Sequence, residues 1–181
     1  MTMNTELAIS TKKLARYFGS KPVVRDIDFD VPTGSVTALL GLNGAGKSTT
    51  IRMLMGLLEP TRGTVTVLGK DSMHLGPEDR ARIGYTIEGH YICPWMRVRD
   101  AQRYQRDTFP QWDEVYFNET LRRFSIDPSQ RIRQLSRGQR AGVSVALTLA
   151  AQPELLVLDD PALGLDPVSR RCLNETLLDF C

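Results

Sequence analysis

Apolar and polar residues alternate through "IDFDVPTG", where Asp28 and Asp30 separate Ile27, Phe29 and Val31. A period of two belongs to a strand with one face buried and one in water. A half-buried strand is predicted here, closed by a turn at Pro32, Thr33 and Gly34. The next run, "SVTALLG", carries no charge and reads as a continuous strand buried on both faces. From Ser48 through Leu58 the pattern becomes helical, with Ile51, Met53, Leu54, Met55 and Leu57 apolar and "EPTRG" as the stop. "GTVTVLGKD" alternates again between Gly63 and Gly69. The middle of the chain is charge-rich and aromatic, and helical in pattern after Arg99. An apolar helix is predicted from Arg140 to Ala151, then Pro153 and a buried strand at Leu155–Leu158. Strand, loop, helix and a later buried strand make a parallel α/β core with an inserted helical segment.

Composition changes this picture little. A chain of 181 residues with 41% hydrophobic and 24% charged residues suits one soluble domain. A formal net charge of +2 gives no reason to expect nucleic acid or an anionic membrane surface. Cys93, Cys172 and Cys181 are odd in number and widely spaced, so neither a disulfide framework nor a zinc site is read and a reducing compartment is expected. The opening residues have no apolar signal core, and no apolar run reaches the roughly 18 residues of a membrane span. A cytoplasmic location follows, with any membrane role reached through a partner.

Chemistry enters at "GLNGAGKSTT". Gly41, Leu42, Asn43, Gly44, Ala45, Gly46, Lys47 and Ser48 fit GxxxxGK[ST], with Thr49 directly after it, between a buried strand and a helix start. Glycines let the backbone wrap a phosphate chain with its N–H groups inward, and the helix adds its positive end. Lys47 supplies a point charge for the outer phosphates and Ser48 a hydroxyl ligand for Mg2+. A polyphosphate with Mg2+ is therefore expected. A second acidic site follows in "LLVLDDP", where a buried strand delivers Asp159 and Asp160 to a sheet edge. Asp159 is read as a metal ligand and Asp160 as the residue that orients or deprotonates water. On its own, "DDPALG" reads equally well as a strand-to-helix turn.

With these motifs in place the chain resembles the ATP-binding cassette family. "LSRGQR" at Leu135–Arg140 is similar to the family's signature motif, and "GLD" at Gly164–Asp166 resembles its D-loop. Phe18, or its neighbour Tyr17, stands where the adenine-stacking aromatic is expected, and Glu88 where the Q-loop glutamine is expected. The resemblance covers about Phe18 to Asp166, and within the family looks most like small bacterial exporter subunits. It implies a P-loop NTPase with a RecA-like parallel core, an antiparallel β-subdomain and a helical subdomain. The implied division is residues 1–88, 89–134 and 135–181 of one domain. It also implies a head-to-tail dimer with a second copy or a paralogue. Ser136, Gly138 and Gln139, with Asp166, would face the nucleotide held by the partner. Cytoplasmic helices of a separate membrane-spanning subunit would dock beside Glu88 to about Asp107, where Tyr91, Ile92, Trp95 and Met96 lie. The subunit would then sit on the inner face of the cell membrane, without nucleic acid as a partner.

Three departures stand out. Asp160 replaces the usual glutamate, a carboxylate set back by about 1.5 Å. Glu88 replaces glutamine, adding a negative charge beside the metal and the terminal phosphate. The family's next strand and switch histidine lie beyond "LNETLLDFC", so a fragment or an impaired relative is expected. Gly138→Asp is expected to block the shared site while sparing the monomer. Arg97, Arg99, Arg103 and Arg106 are read as a solvated helix face, and His74 and His90 as surface residues. Trp95, Trp112 and Phe109 are read as core or interface.

Overall fold

The first two strands are joined across Gly19 and Ser20, with Phe18 opposite Lys21. They are β1 (Leu7–Phe18) and β2 (Lys21–Pro32) of a computed structural model that describes residues 6–87 and 89–180. β1 also pairs with β3 (Arg62–Val67), which turns into the short β4 (Lys70–Asp71), giving the antiparallel order β2-β1-β3-β4. Leu14 and Ala15 of the inner strand β1 are fully buried. The predicted alternation is present: Ile27 and Phe29 are half-buried, Val31 is buried, and Asp28 and Asp30 are exposed. In β3, Val65 and Val67 are buried while Thr64 and Thr66 face outward.

The chain forms two compact units, one up to Arg80 and one from Ala81 onward. The first holds the antiparallel sheet, α1 (Lys47–Leu54), which lies against β2 and β3, and most of the short α2 (Pro77–Ala81). α1 ends at Leu54, four residues before the predicted helix end at Leu58. Gly56 N–H and Leu57 N–H turn back to the carbonyls of Met53 and Arg52, closing the helix C-terminus.

The expected buried strand "SVTALL" is corrected. Residues 35–40 form no strand, and Val36 and Leu40 are 87% and 89% exposed. An uncharged run reads as buried only where neighbours cover it. No described strand forms a ladder with this one.

The second unit is built on a parallel pair, β5 (Ile83–Thr86) and β6 (Leu155–Leu158), with Ile83 opposite Leu155 and Thr86 opposite Leu158. Its helices are α3 (Val98–Thr108), α4 (Glu114–Arg123), α5 (Arg137–Leu149) and α6 (Pro167–Phe180). α5 is apolar on nearly every side, so it is the central helix, with Ala141, Val143, Val145, Ala146 and Leu149 buried. Phe117 and Leu121 of α4 and Leu173 of α6 pack into the same core. α5 starts three residues before the predicted helix because Ser136 caps it: its Oγ accepts from Gln139 N, while Gln139 Oε1 accepts from Ser136 N. α6 was not anticipated. Antiparallel sheet, parallel pair and helical segment together give the α/β organisation implied by the resemblance.

Candidate functional site

The phosphate loop is shaped by its glycines. Gly44 and Gly46 have φ of 83° and 93°. At Gly46 a Cβ would also lie 2.7 Å from the Val23 carbonyl oxygen, so the residue is fixed by torsion and by space. Gly46 is the N-cap of α1 and offers no side chain, which leaves the helix start without a side-chain cap. Lys47 Nζ bridges the loop, donating to the carbonyls of Gly41 (2.8 Å) and Leu42 (3.1 Å). Two of its three donor hydrogens are used there and one remains. Gly41 to Ala45 are exposed, and Ser48 and Thr49 are half-buried in the first turn of α1. A carbonyl-anchored ammonium above an uncapped helix N-terminus suits a polyanion.

At the end of β1, Phe18 is 49% exposed, with the Arg16 guanidinium 4.8 Å from its ring centroid. Arg62 lies 5.4 Å from the Tyr17 ring. Phe18 is thus the more open of the two aromatics, with one face backed by a cation.

In the second unit the two acids stand at the carboxyl edge of the parallel pair. Asp159 is buried and its N–H donates to Thr86 O (3.0 Å), one step beyond the β5–β6 ladder. Asp160 is exposed and left-handed, with φ 47°. For an aspartate this torsion costs on the order of 1 kcal/mol. Leu163 N donates to Asp160 O (3.1 Å), and His90 Nε2 lies 2.8 Å from Pro161 O. His90 is therefore corrected from surface to buried, at 4% exposure. The loop after β5 folds back over the β6 turn, a fact of tertiary contact that spacing does not reveal. Burial lowers the pKa of His90 and outweighs the hydrogen bond to Pro161. His90 Nδ1 and Thr86 Oγ1 are buried without a hydrogen-bond partner among the described residues. Glu88 lies outside the described residues.

The signature and D-loop residues meet within this unit. Asp166 caps α6, its carboxylate accepting from Ser169 N (2.9 Å) and Ser169 Oγ (2.6 Å). Those bonds, the side-chain one first, hold its pKa below the usual carboxylate value. Gly138 sits against the same serine: a Cβ there would be 1.9 Å from Ser169 Oγ and 3.5 Å from Asp166 Oδ2. The expectation that Gly138→Asp spares the monomer is therefore corrected, because the missing side chain is needed for packing inside the chain. Arg137 Nη1 reaches Gly164 O (3.4 Å), a link between signature and D-loop that the sequence reading did not single out.

Around the helical segment, Tyr91 and Trp95 are 74% and 65% exposed, while Ile92 and Met96 pack against the core. Trp112 packs 5.3 Å from Phe117 and donates from Nε1 to Glu114. Arg99, Arg103 and Arg106 are exposed, whereas Arg97 is half-buried and donates to Ser129 O. His74 is exposed. No described helix is long and apolar enough to cross a membrane.

Comparison with known proteins agrees with this geometry. The family model described as ABC transporter matches residues 24–163. A Nod factor export ATP-binding protein I of Cupriavidus pinatubonensis is 32% identical over 174 residues, covering 93% of this chain and 54% of that protein. A sulfate/thiosulfate import ATP-binding protein of Synechococcus elongatus is 32% identical over 182 residues, covering 98% and 53%. The chain thus spans about half the length of the curated relatives it matches. A solved ATP-binding subunit of an ABC transporter superposes with a TM-score of 0.83 at 28% identity, covering 96% of this chain and 74% of the other. A dimeric post-hydrolysis ATP-binding cassette bound to ADP and phosphate shares the fold, with a TM-score of 0.77 at 19% identity, covering 93% and 81%. Motifs, fold and relatives agree: the chain belongs to the ABC transporter family, as an ATP-binding domain of the P-loop NTPase fold.

Proposed function

We propose that the chain binds Mg-ATP at residues 41–49, hydrolyses it in a dimer, and drives transport through a separate membrane-spanning subunit. One observation carries the reading: an uncapped helix start with Lys47 anchored across two left-handed glycines, in a chain of this family. Backbone N–H groups of the loop and Lys47 hold the outer phosphates, while Phe18 offers its open face to the base. The oxygen donors suit Mg2+, which takes one or two carboxylates plus substrate phosphates rather than a protein cage. Ser48 and Asp159 would hold the ion, with Glu88 as a further ligand. Held there, the ion would supply charge neutralisation for the phosphates. Asp160 orients the attacking water and draws its proton.

Ser136, Gly138 and Gln139, with Asp166, would complete the site of a second copy or a paralogue, giving a head-to-tail dimer. Tyr91 and Trp95 would face cytoplasmic helices of the membrane subunit, placing the chain on the inner face of the membrane. The shorter Asp160 carboxylate favours a second reading, a nucleotide-binding module with little turnover.

Ser136→Asp tests the dimer. Aspartate is as good an N-cap as serine, so the monomer is kept while a negative charge enters the shared site. Sedimentation should show an Mg-ATP-dependent dimer for the wild type and a monomer for Ser136→Asp. Equal dimerisation of both, or a wild type that stays monomeric when saturated with Mg-ATP, contradicts the reading. Recovery of a membrane-spanning protein with the native chain tests the partner.

A further inference from the structure

A left-handed residue on one loop is hydrogen-bonded to the residue that follows a left-handed residue on another. His90 follows β5 with φ 50°, and Asp160 follows β6 with φ 47°. His90 Nε2 lies 2.8 Å from Pro161 O. A carbonyl only accepts, so Nε2 carries the proton. The ring is buried, at 4% exposure, which limits the access of water to this contact.

The torsion at Asp160 is thereby held from both sides. Asp159 N is fixed on Thr86 O before it, and Leu163 N returns to Asp160 O after it. The imidazole fixes the Pro161 carbonyl between them. Left-handed backbone outside glycine persists where its surroundings over-determine it. His90 keeps a buried Nδ1 that has no partner among the described residues, which ordinary packing would not require.

We propose that His90 is a positioning residue whose Nε2–H sets the turn 159–163 and so the direction of the Asp160 carboxylate. It does not touch the nucleotide and acts through Pro161. The link works in both directions: the loop carrying Gly89 and His90, both left-handed, is anchored to the turn that carries the acid. A shift of that loop is felt at Asp160 without a rearrangement of β5 or β6. The proposal rests on the role given to Asp160 in hydrolysis.

The test compares wild type, His90→Gln, His90→Asn and His90→Leu. A glutamine amide reaches the place of Nε2 and keeps a donor there, an asparagine amide falls nearer Nδ1, and leucine has none. Exchange of the Leu163 amide should quicken by about tenfold in His90→Leu and His90→Asn, as expected for one lost hydrogen bond, and by less than about threefold in His90→Gln. Nitrogen-15 spectra of the ring should find the proton on Nε2. Steady-state kcat for Mg-ATP should fall about tenfold or more in His90→Leu with KM and calorimetric Mg-ATP affinity nearly unchanged, and recover in His90→Gln, because misplacing a catalytic group costs rate rather than binding. Unchanged Leu163 exchange, a proton on Nδ1, or equal losses in the glutamine and leucine variants would overturn the proposal. A wild type that neither binds nor hydrolyses Mg-ATP sinks the proposed function instead, and exchange and nitrogen spectra still decide the positioning. Should His90→Leu unfold, the asparagine–glutamine contrast decides.

Discussion

Gly138→Ala is expected to destabilise the chain although alanine is the better helix former. The added Cβ would lie 1.9 Å from Ser169 Oγ and 2.7 Å from Ser169 Cβ. Ordinary contact needs about 3.5–4.0 Å. Rotating Ser169 relieves only the first clash, and breaks its 2.6 Å hydrogen bond to Asp166. The second clash requires the start of α6 to move. Overpacking of this kind costs about 1–3 kcal/mol, and the lost bond adds about 1 kcal/mol. Replacing glycine within a helix returns about 0.5–1 kcal/mol. The net loss is about 1–3 kcal/mol, a fall in Tm of roughly 3–10 °C for a chain of this size. Calorimetric melting should show it, and the loss should shrink by about 1–2 kcal/mol in a Ser169→Gly background, where both clashing atoms are gone. A Gly138→Ala variant melting at or above the wild type, or an equal loss in both backgrounds, would refute the reasoning.

Three further outcomes are expected. Asp160→Glu should raise steady-state ATP turnover or leave it unchanged, since it advances the carboxylate by about 1.5 Å; abolition of a robust wild-type activity would contradict the set-back carboxylate. Trp95→Ala should leave Tm almost unchanged because the ring is 65% exposed, whereas Trp112→Ala should cost about 2–4 kcal/mol through its packing on Phe117; a reversed order in thermal melts would move the docking surface elsewhere. The Arg82 guanidinium, bonded to Glu154 through Nε and Nη2, lowers the glutamate pKa. Its contribution is therefore present above the ordinary carboxylate pKa and lost as pH falls through the lower folded value. The pair is solvent-screened and worth under about 1 kcal/mol, so Glu154→Gln should cost little at pH 7 and flatten the acid limb of a pH–stability curve; an unchanged limb would deny the linkage.

The residues that speak through local pattern were legible in the sequence. The phosphate loop is a contiguous motif, and the β6 strand with its two acids is a contiguous apolar run ending in charge. The signature helix announces its cap through Ser136 and Gln139, yet periodicity alone placed its start at Arg140. Burial by distant neighbours was not legible. "SVTALL" has the composition of a buried strand but no described partner, while His90 is buried against a turn 71 residues away in sequence. Gly138 read as an open surface for phosphate, and only the position of Ser169 reveals the close contact beneath it. α6 was missed because its apolar stripe, with Leu173 and Thr176 buried, is narrow.

Binding of Mg-ATP through the phosphate loop is the central claim, and titration calorimetry of Mg-ATP into the wild type and Lys47→Ala tests it most directly. One charge-assisted contact is worth about 1.5–3 kcal/mol, so the wild type should bind and Lys47→Ala should bind roughly 10–150-fold more weakly. Equal affinities for the two proteins would contradict the account.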